Sequence, residues 1–239
     1  MPVKEYTLDL IFNAYNEAST IEKDILNIID LTNEIDCLQN IIIVEDGSDD
    51  GTSELLKNLS KSLPIKLNQS STRRGYSKAL IDGINSSSAD FIFFSDLGGK
   101  FDWKDIIKLS NELPRCEFIL GVRTNRDDQL YRRLLTKGYS IYFKFFYKVN
   151  CSDPDSGFRI YKKSLLTEIF KDKIYNKHLL NSEFTIKCLV RNINYKEISI
   201  SYMQRKGSSR GLPIKIIPKV IFSTLINSFK IRKQVKKIR

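Results

Sequence analysis

Residues 41–52 read Ile-Ile-Ile-Val-Glu-Asp-Gly-Ser-Asp-Asp-Gly-Thr, so four β-branched residues run directly into acids and glycines. Such a run is typical of a strand that is buried on both faces of a parallel sheet. Ligands of open α/β sheets bind at the carboxyl ends of the strands, where Asp46 would meet the hydroxyls or base of a nucleotide. The alternative is a simple turn before a helix, with Asp50 or Thr52 as its N-cap.

Hydrophobic periodicity predicts an alternation of strands and helices along the first half of the chain. Strands are predicted at residues 8–12, 41–44, 65–67, 91–94 and 118–122, and helices after Ser19 or Thr20 and at 53–62, 78–84 and 103–112. Short connections between such elements are typical of a doubly wound sheet. A long aromatic helix over 131–149 and a polar turn over 152–156 follow, and we expect this second half to cap the first. The loop 124–129 is predicted to be the most mobile segment.

The composition limits both the number of domains and the kinds of catalytic mechanism that this chain can have. A chain of 239 residues that is 41% hydrophobic is long enough for one sizeable α/β domain and too short for two ordinary ones. The four cysteines are scattered without CxxC spacing and no secretory leader precedes them, so we expect neither structural zinc nor disulfides. His178 is the only histidine, which disfavours serine-histidine and histidine-metal mechanisms.

Positive charge is concentrated at the C-terminus. Residues 198–239 contain 11 of the 39 Lys and Arg residues and no Asp or Glu. The net charge of the whole chain is also +11, so the remaining residues are neutral overall. A neutral body with a basic segment predicts an anionic partner for that segment, either nucleic acid or lipid. Nucleic acid is disfavoured because the segment lacks a zinc, RNP or helix-turn-helix signature.

The same segment predicts an amphipathic helix that begins at Pro218. Ile221, Phe222, Leu225, Ile226 and Phe229 fall on one face of it. The apolar run is shorter than the roughly 20 residues that a spanning helix needs. We therefore predict peripheral contact with a membrane surface, with packing on the domain core or in a homodimer interface as the alternatives.

Six short stretches occur in a fixed order. They are residues 13–17 (Asn-Ala-Tyr-Asn-Glu), 45–48 (Glu-Asp-Gly-Ser), 74–80 (Arg-Gly-Tyr-Ser-Lys-Ala-Leu), Asp96 after a buried strand, 153–159 (Asp-Pro-Asp-Ser-Gly-Phe-Arg) and 205–210 (Arg-Lys-Gly-Ser-Ser-Arg). With this order and spacing the chain resembles the inverting family-2 glycosyltransferases of the GT-A fold, over residues 8–211. Within that family it is similar to the branch of dolichyl-phosphate mannose synthase and other polyprenyl-phosphate glycosyltransferases.

The resemblance implies a fold and a division of the chain. The fold would be the α/β GT-A (Rossmann-like) fold, a mixed, mainly parallel sheet flanked by helices, followed by a C-terminal amphipathic basic helix. Residues 1–212 would form the glycosyltransferase domain, with a nucleotide-sugar-binding half at 1–123 and an acceptor half at 124–212. Residues 213–239 would form the basic segment.

The resemblance also implies a set of site residues. The nucleotide sugar would be bound by Asn13, Tyr15, Glu17, Val44, Asp46, Lys78, Ser95, Asp96, Arg123, Arg205 and Arg210. Catalysis would involve Asp96, Arg123, Asp153 and Asp155, and the acceptor phosphate would meet Arg132, Arg133, Ser156 and Arg159. Asp96 would hold Mg²⁺ or Mn²⁺, which with the arginines stabilises charge on the departing nucleoside diphosphate. Arg132 and Arg133 are equally well explained as a solvated helix face.

The chain departs from the family pattern at three positions. Asn13 replaces a proline, Phe94 stands where the family has the first acid of an Asp-x-Asp motif, and Gly98 stands where a metal-binding Gln often follows. Asp96 would then be the remaining metal carboxylate. Asp102 is a substitute ligand or, alternatively, the cap of the helix that follows it.

The acceptor decides whether a base is needed. A hydroxyl acceptor requires a carboxylate to take its proton, for which Asp153, Asp155 and Glu183 are candidates, whereas a phosphate is already an anionic nucleophile. We predict a dolichyl-phosphate mannosyltransferase-like hexosyltransferase that moves a sugar from a nucleotide sugar to polyprenyl (dolichyl or undecaprenyl) phosphate, peripheral on the cytoplasmic face of a membrane. The alternatives are transfer to a saccharide hydroxyl in cell-surface glycan synthesis and a non-catalytic nucleotide-sugar-binding protein.

Overall fold

A computed structural model describes residues 5–124, 130–176, 179–203 and 214–238, with the backbone alone for 130–132 and 214. Arg205, Arg210 and His178 lie outside these ranges, as does the predicted loop beyond Thr124. The side chain of Arg132 is also outside the description.

The described residues form seven strands and eight α-helices. The strands are β1 (Leu8–Ala14), β2 (Leu38–Asp46), β3 (Lys66–Ser70), β4 (Phe91–Asp96), β5 (Phe118–Thr124), β6 (Arg159–Lys162) and β7 (Tyr195–Ser201). The helices are α1 (Ile21–Asp30), α2 (Thr52–Ser62), α3 (Tyr76–Ser86), α4 (Asp105–Ser110), α5 (Leu130–Tyr147), α6 (Lys163–Phe170), α7 (Leu180–Leu189) and α8 (Ile217–Val235). The five predicted strands are confirmed, as are the predicted helices, with boundaries shifted by a few residues.

The strands form one mixed sheet in the order β3-β2-β1-β4-β6-β5-β7. Parallel pairing joins β3, β2, β1 and β4, and it also joins β5 to β7. Only β6 runs against its neighbours β4 and β5 among these seven strands. This arrangement confirms the mainly parallel sheet flanked by helices. The consequence for the site is that β1, β2, β4 and β5 all end at the same edge.

Two hydrophobic clusters cover the two faces of the sheet. Leu10 and Phe12 belong to one cluster and Ile11 belongs to the other, as the alternation of side chains along a strand requires. One cluster contains buried residues of α1, α2 and α4, and the other contains buried residues of α3, α5, α6, α7 and α8. The helices α5 to α8 of the second half of the chain therefore pack on one face of the sheet, together with α3.

Helix α8 is present where the sequence predicts it, and it packs through a stripe different from the predicted apolar face. Its buried stripe is Val220, Thr224, Ser228, Ile231 and Val235. The predicted apolar face is exposed, because Ile221, Phe222, Leu225, Ile226 and Phe229 are each at least 40% accessible. Within the described ranges, no helix has the length and apolar character needed to cross a membrane.

Gly83 of α3 and Gly138 of α5 provide a matched test of this packing. A Cβ at Gly83 would lie 2.7 Å from Val44 Cγ2 and 2.9 Å from Ile11 Cγ2, whereas a Cβ at Gly138 meets nothing within 4 Å. We expect Gly83→Ala to lower the free energy of unfolding by about 1 to 2 kcal/mol through overpacking. Gly138→Ala should raise it by about 0.5 to 1 kcal/mol, because alanine is the better helix former. Urea unfolding of both variants measures the difference, and equal effects would contradict the close packing of α3 on β1 and β2.

Candidate active site

Polar residues gather where the parallel strands end. Asn13 of β1 pairs with Val44 of β2 on one side and with Asp96 of β4 on the other. Side chains of paired residues in neighbouring strands share a face, and Asp46 shares it too because it lies two residues beyond Val44. The structure therefore brings Asn13, Asp46 and Asp96 to one face of the sheet. Ser95 lies on the opposite face, where it is fully buried.

The carboxylate of Asp46 organises the turn that leads into α3. Its two oxygens accept hydrogen bonds from the backbone amides of Arg74 at 2.7 Å and Gly75 at 3.0 Å. The Arg74 side chain then donates to Asp82 at 3.0 Å and to the carbonyl of Glu45 at 2.9 Å. Asp46 is thus first a positioning residue for this turn, and its contact with a nucleotide stays a prediction.

The loops after β1 and β2 are joined to each other. Asn16 donates from its backbone amide to Ser48 Oγ at 2.9 Å and from its side chain to Asp49 at 2.7 Å. The Arg73 guanidinium lies over the ring of Tyr15, 4.1 Å from its centroid. Lys78 is exposed in the first turn of α3. These residues form a polar rim around the strand ends, and their contact with a nucleotide stays a prediction.

Asp96 has an unusual electrostatic environment. Its Oδ1 is buried and has no hydrogen-bond partner among the described residues. The pKa of Asp96 is raised to about 6, mainly by burial and also by the nearby Glu17 and Asp155, while Lys100 and Arg159 oppose the increase. A carboxylate that lacks a hydrogen-bond partner and lies near other acids is stabilised by a cation bound beside it. Asp96 is therefore the group at this edge that is most suited to a cation.

Gly98 is explained by the position of Glu17. A Cβ at Gly98 would lie 2.9 Å from a carboxylate oxygen of Glu17, and the residue has a φ of +124°. Asp24 holds the turn by accepting from the amides of Gly98 and Gly99 at 2.8 and 2.9 Å. A Gln side chain at Gly98 would displace Glu17, so this departure from the family pattern places a second carboxylate near Asp96.

The donor set is compatible with a divalent cation, although it is small. Within the described ranges no three His, Cys, Asp or Glu residues form a ready-made metal cluster. Asp102 is exposed and accepts from the amide of Lys104 at 3.1 Å in the turn before α4, whose N-cap is Lys104, so the predicted helix cap is not formed. Mg²⁺ is commonly held by one or two carboxylates together with substrate phosphates and water. The unpartnered oxygen of Asp96 fits that arrangement.

Arg123 and Asp153 bind each other. Arg123 donates from Nε to Asp153 Oδ2 at 2.6 Å and from a terminal nitrogen to Asp153 Oδ1 at 2.7 Å. The backbone amide of Arg123 also donates to Asp153, and its guanidinium lies 5.5 Å from the ring centroid of Tyr202. Both oxygens of Asp153 are engaged, so its predicted role as a base does not fit this geometry. Asp153 instead fixes the orientation of Arg123.

Asp155 is the carboxylate of the 153–157 turn that is not in an ion pair with Arg123. It accepts from Ser182 Oγ at 3.0 Å. Burial raises its pKa, and the nearby charges of Arg123 and Arg159 oppose that change. The raised pKa means that Asp155 holds a proton more readily than an exposed aspartate does. Of the predicted bases, it is the one whose geometry fits that role.

Two predicted acceptor ligands lie in the interior instead. Arg159 has no solvent-accessible surface and donates to Tyr161 Oη at 2.7 Å, to the Asn181 carbonyl at 3.0 Å, to Thr185 Oγ1 at 3.1 Å and to the carbonyl of Ser156. Ser156 is also fully buried. The prediction that both meet the acceptor phosphate is wrong for this structure, because their polar groups hold the 153–157 turn. Glu183, fully buried, forms an ion pair with Lys187 at 2.8 Å.

Arg133 instead lies beside a surface cavity. The cavity has a volume of about 270 Å³ and is lined by Val122, Arg123, Arg133, Thr136, Lys137, Ser140, Ser152 and Asp153. Lys137 is a site residue that sequence analysis missed, although its position four residues after Arg133 places both on one side of a helix.

Sequence analysis also missed Tyr76 and Asn181. Asn181 Nδ2 donates to Tyr76 Oη at 2.9 Å, while Asn181 Oδ1 is buried without a partner among the described residues. A Cβ at Gly157 would lie 3.7 Å from Asn181 Nδ2 and 3.8 Å from Asp96 Oδ2, so Gly157, Asn181 and Asp96 are close neighbours. Tyr76 lies within the 74–80 stretch, whereas Asn181 has no distinguishing pattern around it.

Comparisons with known proteins agree with this geometry. The Glycosyl transferase family 2 profile matches residues 9–170. A dolichyl-phosphate beta-glucosyltransferase of Dictyostelium discoideum is 23% identical over 227 residues, covering 87% of this chain and 69% of its own length. A UDP-N-acetylglucosamine--dolichyl-phosphate N-acetylglucosaminyltransferase of Methanococcus voltae is 26% identical over 244 residues, covering 91% and 94%.

Solved structures share the fold at low identity. Glucosyl-3-phosphoglycerate synthase from Mycobacterium tuberculosis, in complex with Mn²⁺, UDP and phosphoglyceric acid, superposes with a TM-score of 0.71 at 17% identity, covering 94% of this chain and 79% of that one. Mannosyl-3-phosphoglycerate synthase from Rubrobacter xylanophilus superposes with a TM-score of 0.72 at 12% identity, covering 98% and 76%. The fold is that of GT-A glycosyltransferases. The chain belongs to glycosyl transferase family 2 and is a glycosyltransferase.

Replacement of Asp96 by Asn should lower the activity of the enzyme and raise its free energy of unfolding. A carboxyl with a raised folded-state pKa contributes stability below its ordinary pKa of 3.8, and that contribution is lost as pH rises through about 6. Asp96→Asn is neutral throughout. Because Asp96 keeps some solvent access, we expect the variant to be more stable than the wild type by about 1 to 2 kcal/mol at about pH 7.5, and by less towards pH 5.

Urea unfolding across that pH range, without added metal or nucleotide, checks this expectation. Asp102→Asn makes the same chemical change at an exposed position and should show no such trend. A variant that is less stable than the wild type at every pH would mean that the Asp96 carboxylate is already well stabilised.

Proposed function

We propose that this glycosyltransferase transfers a sugar, with inversion, from a nucleoside-diphosphate sugar to a polyprenyl phosphate. The cavity beside Arg123 carries the acceptor assignment, because Arg133 and Lys137 supply positive charge to its wall. The names of relatives such as the dolichyl-phosphate glucosyltransferase support the same acceptor class. The mannosyl specificity remains a prediction, since those relatives are named for glucosyl and N-acetylglucosaminyl transfer.

On the donor side, Asp96 would hold Mg²⁺ or Mn²⁺ together with diphosphate oxygens. When bound, the cation would neutralise charge that gathers on the departing nucleoside diphosphate. Asn13, Tyr15, Glu17, Asp46 and Lys78 form the proposed nucleotide-sugar set with Arg205 and Arg210. The side chains of Val44 and Ser95 are fully buried, so these two residues would contribute only through their backbone. Lys100 extends this set, because its charge already acts on Asp96.

On the acceptor side, a phosphate oxygen would attack the anomeric carbon opposite the bond to the diphosphate. A new carbon–oxygen bond forms there while the bond to the leaving diphosphate breaks, so no proton has to be removed. This suits a site in which Asp153 is bound by Arg123 and is not available as a base. Arg133 and Lys137, with Arg132 proposed beside them, would neutralise the acceptor phosphate.

Transfer to a saccharide hydroxyl is the second candidate, because Asp155 is a carboxylate near the site with a raised pKa. The experiment is Asp155→Asn, assayed for transfer from a nucleotide sugar to polyprenyl phosphate. We expect kcat/KM to stay within about tenfold of the wild type, because a phosphate acceptor needs no base. Loss of a general base would lower it by about 10²- to 10⁴-fold.

Asp102→Asn is the matched control and should behave as the wild type. A saccharide acceptor whose use is abolished by Asp155→Asn, in an enzyme that ignores polyprenyl phosphate, would favour the hydroxyl reaction.

Tyr76 and Asn181 should bind a hydroxyl of the donor sugar. Burial raises the pKa of Tyr76 well above its ordinary value, so its phenol keeps a proton to donate, and Asn181 Oδ1 can accept one. A sugar hydroxyl both donates and accepts, which matches this pair. A donor at a hundred times its dissociation constant adds about 2.7 kcal/mol to stability, so a thermal-shift panel of nucleotide sugars identifies it.

With that donor, we expect Tyr76→Phe to weaken binding of the nucleotide sugar by about tenfold, since one hydrogen bond of about 1.4 kcal/mol is lost. Binding of the nucleoside diphosphate alone should stay unchanged in calorimetry. Tyr6→Phe removes a phenol that donates to the Leu113 carbonyl and serves as the control. Equal loss for both ligands would place Tyr76 at the nucleotide rather than at the sugar.

We also propose that residues 1–212 act as the catalytic domain, with donor and acceptor halves at 1–123 and 124–212. Residues 213–239 would keep the enzyme peripheral on the cytoplasmic face of a membrane. Exposure of the apolar side of α8 supports the contact with a membrane.

A further inference from the structure

Helix α5 presents a second exposed apolar surface. Its Leu134, Ile141 and Phe145 are 60%, 51% and 77% accessible. Groups of large apolar side chains with that much exposure are uncommon on the surface of a monomeric soluble protein. In the described parts of the chain, the remaining large apolar residues with comparable exposure fall mainly on α8.

The exposed surfaces of α5 and α8 are adjacent. The rings of Phe146 and Phe229 meet edge to face with centroids 5.2 Å apart. The Arg232 guanidinium lies over the Phe146 ring, 4.9 Å from its centroid. The two helices therefore lie side by side. We call their exposed apolar side chains together the two-helix apolar face, which comprises Leu134, Ile141, Phe145, Phe222, Leu225 and Phe229.

The charged residues of the two stretches that carry this face all have one sign. Residues 130–148 include Arg132, Arg133, Lys137, Lys144 and Lys148, and residues 214–238 include Lys215, Lys219, Lys230, Arg232, Lys233, Lys236 and Lys237. Neither stretch contains Asp or Glu. A second copy of the chain would bring the same charges together across a symmetric interface, and like charges oppose that. An anionic lipid surface instead attracts them.

We propose that the two-helix apolar face inserts into the interfacial region of an anionic lipid leaflet, with α5 contributing as well as α8. Amphipathic helices bind in this way, with apolar side chains at the headgroup boundary and cations beside them. Helix α8 packs on the domain through its buried stripe, from Val220 to Val235, and this packing leaves its apolar side exposed.

The inference gives the enzyme an orientation, and this part rests on the proposed function. Arg133, Thr136, Lys137 and Ser140 line the cavity beside Arg123, and they lie on the side of α5 next to the apolar one. Successive helical residues are about 100° apart, so the cavity side adjoins the leaflet side. A phosphate carried by a lipid would reach the cavity from the headgroup layer.

Sedimentation of the full chain with vesicles tests the proposal. The vesicles contain phosphatidylcholine alone or with phosphatidylserine, and neither polyprenyl phosphate nor nucleotide sugar is present. We expect the wild type to bind the phosphatidylserine vesicles about tenfold more tightly or better. Phe145→Ser on α5 and Phe222→Ser on α8 should each weaken that binding by about tenfold, with unchanged thermal unfolding because both side chains are exposed.

Leu26→Ser is the matched control, because Leu26 is 43% exposed on α1, which covers the opposite face of the sheet. It should bind vesicles as the wild type does. Wild-type binding by Phe145→Ser, or equal binding to both vesicle types, would overturn the proposal. So would a dimer that Phe145→Ser and Phe222→Ser dissociate in a protein with no vesicle affinity. Because no substrate is present, a failed transfer reaction leaves this result unaffected.

Discussion

The buried guanidinium of Arg159 is the interaction on which the second half of the site depends. It stands at the start of β6 without access to solvent and donates to carbonyls of residues 156 and 181, which belong to the 153–157 turn and to the first turn of α7. Removing a cation from water costs several kcal/mol unless hydrogen bonds and nearby negative charge offset it. Here the offset comes from the backbone that carries Asp155 and Asn181. One buried charge therefore holds both residues in place relative to Asp96.

Asp46 has the corresponding role in the first half, where it holds the turn before α3 through two backbone amides. Sequence reasoning identified both Asp46 and Arg159 as ligand-binding residues. It could not separate a group that binds a ligand from one that positions the chain around it, because both functions need a charged residue at a strand end. The same limit applies to Asp153, whose carboxylate is engaged by Arg123. Burial and hydrogen-bond partners make the distinction, and these depend on residues that are distant in sequence.

The fold was predictable to the extent that its pattern is local. Strands β1, β2, β4 and β5 are apolar runs, and their acids mark the edge where they end. Strand β6 has only four residues and begins with a charge, so it has no clear signal. Strand β7 does alternate apolar and polar residues from Ile198 to Ser201, the pattern of a half-buried strand, and sequence analysis overlooked it. Helix α7 is buried on all sides, including the ion pair of Glu183 with Lys187, and so it lacks a polar face for periodicity to show. Residues such as Asn181 are found only once α7 has been placed beside Tyr76 of α3.

The distribution of charge would link the proposed chemistry to a membrane surface. The donor diphosphate and an acceptor phosphate repel each other, so a site that joins them needs separate positive charge for each. Asp96, with a cation, would serve the donor. On the acceptor side, Asp153 already neutralises most of the charge of Arg123, which leaves Arg133 and Lys137 as the main cations of the cavity. Both lie on α5, next to its exposed apolar side chains. A phosphate attached to a lipid gains from both sides of that helix, whereas a phosphate free in solution gains from one, and this difference would favour lipid-linked acceptors without any contact to the lipid chain inside the site.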